Sequence, residues 1–262
     1  MNKLKTAAGA ILLIAGSLAA LAAADEASSS KGTWSVNNWI PGDEVHLTLA
    51  YRKATTRWQW GNDQQIDELH GLTRNQLRAA HADVDFTLKR DAGTFTFEGS
   101  FTLGIGRGSF RFEPDPTYAS KLSALGYGPV DDDAASLMFM AVRDISLEYA
   151  AEVNNSGLKD VTLKDLTRLQ DHGVELDFIR QLTVAGYTDL TTDDVVRFRD
   201  HGIDGDFLRA LKATGRTDLK PDAIVKLHDH GIRPDYVARI NSAGYGDLSV
   251  EQIIKLHDHG VD

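Results

Sequence analysis

Residues 227–231 read Leu-His-Asp-His-Gly, and the same five residues return at 256–260. Leu-Gln-Asp-His-Gly stands at 169–173 and Phe-Arg-Asp-His-Gly at 198–202. Paired histidines suggest a metal site, whereas repetition suggests punctuation in a repeated fold. The spacing favours the second reading. Asp171, Asp200, Asp229 and Asp258 lie 29 residues apart, and Gly157, Gly186, Gly215 and Gly244 keep that period. Tyr149, Phe178, Phe207 and Tyr236 keep it too. A fixed period of about 20–50 residues marks a stack of supersecondary units.

Each unit parses into two short helices. Thr162 with Asp165, Thr191 with Asp194 and Ser249 with Gln252 form capping-box patterns, and Pro221 suits a first helical position. Apolar pairs follow at Val195/Val196, Ile224/Val225 and Ile253/Ile254. Asp-His-Gly then ends the helix, with Val174, Ile203, Ile232 or Val261 after it, as glycine at C′ and an apolar C″ require. A second helix opens near Asp177-Phe178, Asp206-Phe207 or Pro234-Asp235-Tyr236 and stops at the second glycine of the period. Helices this short are marginal alone and are stabilised by stacking.

The expectation for residues 115–262 is therefore a short α-solenoid of helix pairs, with regular units at 157–262. A degenerate unit at 115–156 precedes them, because Pro-Thr-Tyr-Ala-Ser-Lys-Leu at 116–122 parallels Pro-Asp-Tyr-Val-Ala-Arg-Ile at 234–240. Asp131-Asp132-Asp133 reads as a cap run before the next helix, since it lacks the alternating spacing of a calcium loop.

The metal candidates are His228, His230, His257 and His259. Residues two apart on a helix point about 200° away from each other, whereas ligands sharing a face need i, i+3 or i, i+4 spacing. The repeated member is His172, His201, His230 and His259, placed in the last turn, where a donor meets orphan carbonyls and the negative dipole end. The leading reading is a helix stop.

Residues 44–114 alternate apolar and polar positions, as in Glu-Val-His-Leu-Thr-Leu-Ala-Tyr-Arg at 44–52 and Thr-Phe-Thr-Phe-Glu-Gly-Ser-Phe at 94–101. That period of two predicts a small antiparallel β domain, with 25–43 as a linker and first strand and a turn at Arg90–Gly93. Thr73 and Gln76 predict one short helix to about Ala80. Gly104-Ile105-Gly106-Arg107-Gly108 reads as a glycine-rich turn, since a strand rather than a phosphate-binding helix follows it. Trp34, Trp39, Trp58 and Trp60 are divided between core packing and a binding face, and Trp58 and Trp60 are the binding candidates. The fold class is α+β.

Residues 1–24 carry Lys3 and Lys5, then an apolar run, then Ala22-Ala23-Ala24, the layout of a signal peptide. The alternative is an uncleaved anchor. The mature chain then starts near Asp25 and is periplasmic or secreted. Without cysteine it can hold neither a lipid anchor on that residue nor disulfides. Removing the two lysines leaves 26 basic against 38 acidic residues, a net charge of −12 in place of −10. That balance opposes nucleic-acid binding, and no later segment suits membrane insertion. No nucleophile elbow or zinc-peptidase motif is present, so the reading is non-enzymatic and without cofactor.

Leu69–Arg78 (LHGLTRNQLR), Arg90–Phe101 (RDAGTFTFEGSF), Gly106–Pro116 (GRGSFRFEPDP) and the DHGV repeats together resemble the extracytoplasmic tail of bacterial membrane metallopeptidase sensors of the BlaR1 type, in a free-standing exported form. The resemblance spans about 44–262 and implies extracytoplasmic recognition or signalling; it implies neither peptidase activity nor β-lactam binding. The expected function is an exported binding or scaffold protein whose helical-repeat surface takes a protein or peptide partner. The alternative is a binder of divalent metal or small ligand through carboxylates and histidines. Ile254, on the last helix beside Ile253, is an expected contact for self-association through the C-terminal edge.

Overall fold

The structure is a computed structural model that describes residues 30–39, 43–53, 56–217 and 219–261. The expected signal peptide and its cleavage point lie outside the described residues. Two compact units divide the chain. The first holds the described residues up to Ala119 together with Asp131–Val142, and the second holds Ser120–Val130 and the residues from Arg143 onward. The chain is α+β, with an N-terminal antiparallel sheet and a C-terminal helical region.

The sheet contains β1 (Ser30–Trp39), β2 (Glu44–Lys53), β3 (Thr56–Gln65), β4 (Leu69–His70), β5 (Ala82–Arg90), β6 (Gly93–Thr102) and β7 (Ile105–Pro114). Their order is β3-β2-β1-β7-β6-β5-β4, with antiparallel pairing throughout. β3 and β4 are opposite edges, yet only Ile66–Glu68 joins them. Four peptide steps reach at most about 14 Å, so the sheet must curl until its edges approach at that end. Arg90 fastens the seam by donating to Gln64 Oε1 at 2.7 Å and Glu68 Oε2 at 2.9 Å.

Cross-strand partners share a face, so the register defines the inner surface. One row runs Trp60, Leu49, Trp34, Gly108, Gly99, Val84, and the next runs Trp58, Tyr51, Gly32, Phe110, Phe97, Phe86. Trp34 is 2% exposed, meets Phe86 edge-on at 5.2 Å and donates from Nε1 to the Glu98 carbonyl at 3.1 Å. Its indole fits because Gly108 and Gly99 flank it. A Cβ on Gly108 would lie 1.9 Å from the Glu98 carbonyl oxygen and 2.6 Å from Trp34 Nε1. This corrects the reading of 104–108 as a turn. Leu103-Gly104 makes the turn, while Gly106 and Gly108 sit inside β7 to admit aromatic rings.

The expected short helix is α1 (Arg74–Arg78), closed by the Thr73–Gln76 capping box and anchored by buried Leu77. α2 (Tyr118–Leu122) follows the sheet. α3 (Ala134–Val142) is capped by Asp133, whose carboxylate accepts from the Ala135 amide at 2.9 Å. By period, α3 is the first helix of the degenerate unit. It nevertheless packs on β1, β6 and β7, so the segment 131–142 crosses the expected boundary at residue 114 and clusters with the sheet.

The helical unit contains α4 (Leu147–Asn155), α5 (Leu163–Asp171), α6 (Leu176–Val184), α7 (Thr192–Asp200), α8 (Gly205–Ala213), α9 (Pro221–Asp229), α10 (Pro234–Ile240) and α11 (Val250–Asp258). First helices start at 163, 192, 221 and 250, and second helices at 147, 176, 205 and 234. Both series advance by the sequence period. First helices pack on first helices and second on second, giving a two-row stack. The Thr162, Thr191 and Ser249 capping boxes all form. Each Asp-His-Gly ends in a Schellman motif: the Gly202 amide donates to Arg199 O at 3.0 Å and the Ile203 amide to Phe198 O at 2.9 Å.

Candidate binding surfaces

The repeated histidine does more than end a helix. His172 Nδ1 lies 2.9 Å from Asp200 Oδ1, His201 Nδ1 lies 2.8 Å from Asp229 Oδ1, and His230 Nδ1 lies 3.3 Å from Asp258 Oδ2. Each imidazole therefore reaches the aspartate of the following unit. In the degenerate unit Arg143 occupies the same register position and pairs with Asp171 at 2.8 Å. The expectation that this side chain serves the orphan carbonyls of its own helix is corrected. Backbone amides close those carbonyls in the Schellman motif, which leaves the ring free for its neighbour.

The other histidine of each His-Asp-His has a different role. His228 meets Phe207 edge-on at 5.0 Å, and His257 meets Tyr236 at 5.1 Å. Arg199 stands at the same register position 6.0 Å over Phe178. At 199, 228 and 257 the residue before Asp-His-Gly thus packs on the aromatic ring of the preceding second helix. His230 and His257 flank Asp258 at 3.3 and 3.8 Å, and His259 is exposed at the C-cap of α11. Among the described residues no three His, Asp or Glu side chains come together as a metal-ligating group.

Further contacts between units follow the period. Arg168 pairs with Asp193, Arg197 with Asp222 and Lys226 with Glu251, tying each first helix to the next. Lys212 donates to the Ala185 carbonyl at 3.1 Å, and Asn241 donates to the Thr214 carbonyl at 2.9 Å. Buried Tyr149 donates to the Val174 carbonyl at 2.8 Å, and Tyr127 to the Ala150 carbonyl at 2.8 Å. Burial pushes the Tyr127 phenol up to about 12. Burial also raises Tyr149, reinforced by its proximity to Tyr127.

Trp58 and Trp60 come together on edge strand β3, both half-buried on the inner side, with Trp58 5.6 Å from the Tyr51 ring. The side chain of Trp39 lies outside the described set. On the outer face a cleft of about 400 Å³ opens among Lys31, Arg111, Thr96, Ser109 and the carboxylates Glu98 and Glu113. At the last unit, Ile254 and Leu256 are half-buried, whereas the matching Val225 and Leu227 are 4% and 0% exposed. The difference is the cover that a following first helix supplies.

The sequence reading left open a bond from each triplet's aspartate to the neighbouring unit but did not name the histidine as its partner, because each rung joins residues 28 apart across a unit boundary. The adjacent repetition of Asp and His was the available signal. It also missed β3, whose Thr-Arg-Trp-Gln-Trp-Gly-Asn-Asp-Gln-Gln carries too few apolar residues to show alternation. No family model matches this chain, and no curated protein matches its sequence.

Proposed function

We propose that the chain is an exported, non-enzymatic binding or scaffold protein that takes a protein or peptide partner at the cell envelope on the surface of its helical repeats. The carrying observation is the exposed apolar surface at the helix ends of the second row. The first helices spend their charged groups on one another through Arg168–Asp193, Arg197–Asp222 and Lys226–Glu251. The second row does the same through Arg180 with Glu148 and Glu152, and it also leaves apolar side chains uncovered at and just beyond its helix ends, with Val184 75% and Tyr245 58% exposed. Aromatic and aliphatic groups on a rigid, repeating support are the usual anchors of protein recognition.

A photo-crosslinking amino acid placed at 184 or 245 tests this in producing cells. The expected result is a discrete heavier adduct from both positions and none from a control at 197. Equal labelling at all positions, or no adduct, removes the proposal.

A further inference from the structure

β3 forms one edge of the sheet over ten residues, so one side of its backbone has no strand partner among the described residues. Long edges are usually blunted by proline, bulges or a covering element, because a row of free N–H and C=O groups recruits another strand. β3 has no proline, and its register against β2 runs unbroken from Glu44↔Gln65 to Lys53↔Thr56. The opposite edge, β4, is only two residues long. Trp58 and Trp60 lie half-buried on the inner side of the open edge.

The outer side carries an electrostatic defect. Arg57 stands directly opposite Arg52, and both are exposed. Like charges in that relation weaken a strand pair. Neither guanidinium has an ion-pair or hydrogen-bond partner among the described residues. A carboxylate supplied from outside the sheet would relieve both.

We propose that β3 pairs antiparallel with β3 of a second copy, about a twofold axis at Trp60. In this register Trp60 meets its own counterpart, Gln59 meets the partner's Gly61, and Arg57 meets the partner's Asp63. Asp63 already binds His46 through Oδ1 at 2.8 Å, which leaves Oδ2 for a guanidinium. The twofold forms the Arg–Asp pair twice and opposes no like charges within 57–63. An extended peptide would satisfy the edge backbone equally well. The self-complementary order of Arg57 and Asp63 selects a second copy.

Sedimentation of the full chain provides the test. Wild type is expected to dimerise, and Arg57→Glu or Asp63→Arg to weaken the dimer by about tenfold or more, given two cross-strand pairs per interface. The double variant Arg57→Glu/Asp63→Arg should restore it. Arg57→Glu also gains Arg52 as a partner within its own sheet, so the monomer should melt no earlier while the dimer weakens. A residue of merely structural importance would not separate those two readouts. Because the chain has no cysteine, Trp60→Cys should crosslink across the axis under mild oxidation, and Thr56→Cys should not. A chain that stays monomeric at high concentration overturns the proposal. So does a dimer indifferent to Arg57→Glu, or one dissociated by Ile254→Asp, which would move the interface to the C-terminal edge. A monomer whose β3 amides gain protection from exchange only on adding an acidic decapeptide would replace the second copy with a peptide.

Discussion

His201 terminates α7 and also pairs with Asp229 of the next unit at 2.8 Å, with the two side chains 39% and 44% exposed. Solvent screens such a pair, so its contribution is modest. His201→Gln is expected to lower stability by about 0.3–1 kcal/mol. A double-mutant cycle with Asp229→Asn in urea should show the two changes to be coupled. Zinc uptake in equilibrium dialysis should not change, and near-stoichiometric zinc lost in His201→Gln would reassign the ladder to metal binding. The tyrosines behave differently because they are buried. Tyr127 and Tyr149 both have folded-state pKa values raised above the ordinary value of about 10. The folded state therefore holds these protons more tightly than the unfolded chain does. The resulting stability is complete below about pH 10 and falls as pH rises through 10 to 12. Tyrosinate absorbance should show a late class that ionises with loss of helical dichroism, and Tyr149→Phe should diminish that class. If all tyrosines titrate together near pH 10, the burial argument fails.

At the scale of elements, two glycines show how differently one residue type can act. Gly202 closes α7 at φ 71°, and a Cβ there would meet nothing within 4 Å. Gly202→Ala should therefore cost only the left-handed backbone strain, about 1–2 kcal/mol. Gly108 lies in β7, where the same Cβ would collide with the Glu98 carbonyl and the Trp34 ring nitrogen. Gly108→Ala must part β6 from β7 or expel the indole, which costs about 3 kcal/mol or more. Thermal melts of the two variants, with tryptophan emission followed in the second, check the ranking. Equal melting temperatures would show that the inner rows are looser than the register implies. The first helices follow the same logic. Their starts come from local capping boxes, whereas Leu166, Val195, Ile224 and Ile253 become 0% exposed only because the neighbouring unit covers them.

For the whole molecule, the basic–apolar–small order of residues 1–24 leads to the expectation that export removes them. Mass spectrometry of the periplasmic fraction should find a mature chain starting near Asp25. Retention in the membrane pellet at full-length mass would instead indicate an anchor. The compact units also differ in how they gain stability. The helical unit is a sum of similar neighbour contacts, so a rung variant such as His201→Gln should act locally. The sheet unit depends on one aromatic interior shared by all its long strands, so Gly108→Ala should be felt throughout it. Hydrogen exchange on the two variants distinguishes a local from a unit-wide response.

The sequence alone determined the period, both stop signals of each unit, the helix caps and the α+β class. Those are short-range properties: a capping box spans three residues, a Schellman stop spans five, and alternation is read along a single strand. The tertiary structure alone decided which partners these elements find. Nothing local links His201 to Asp229 or Trp34 to Gly108. It also decided that α3, a repeat helix by register, packs on the sheet. An apolar helix face takes whichever apolar surface the fold brings to it, and the hydrophobic effect carries no address.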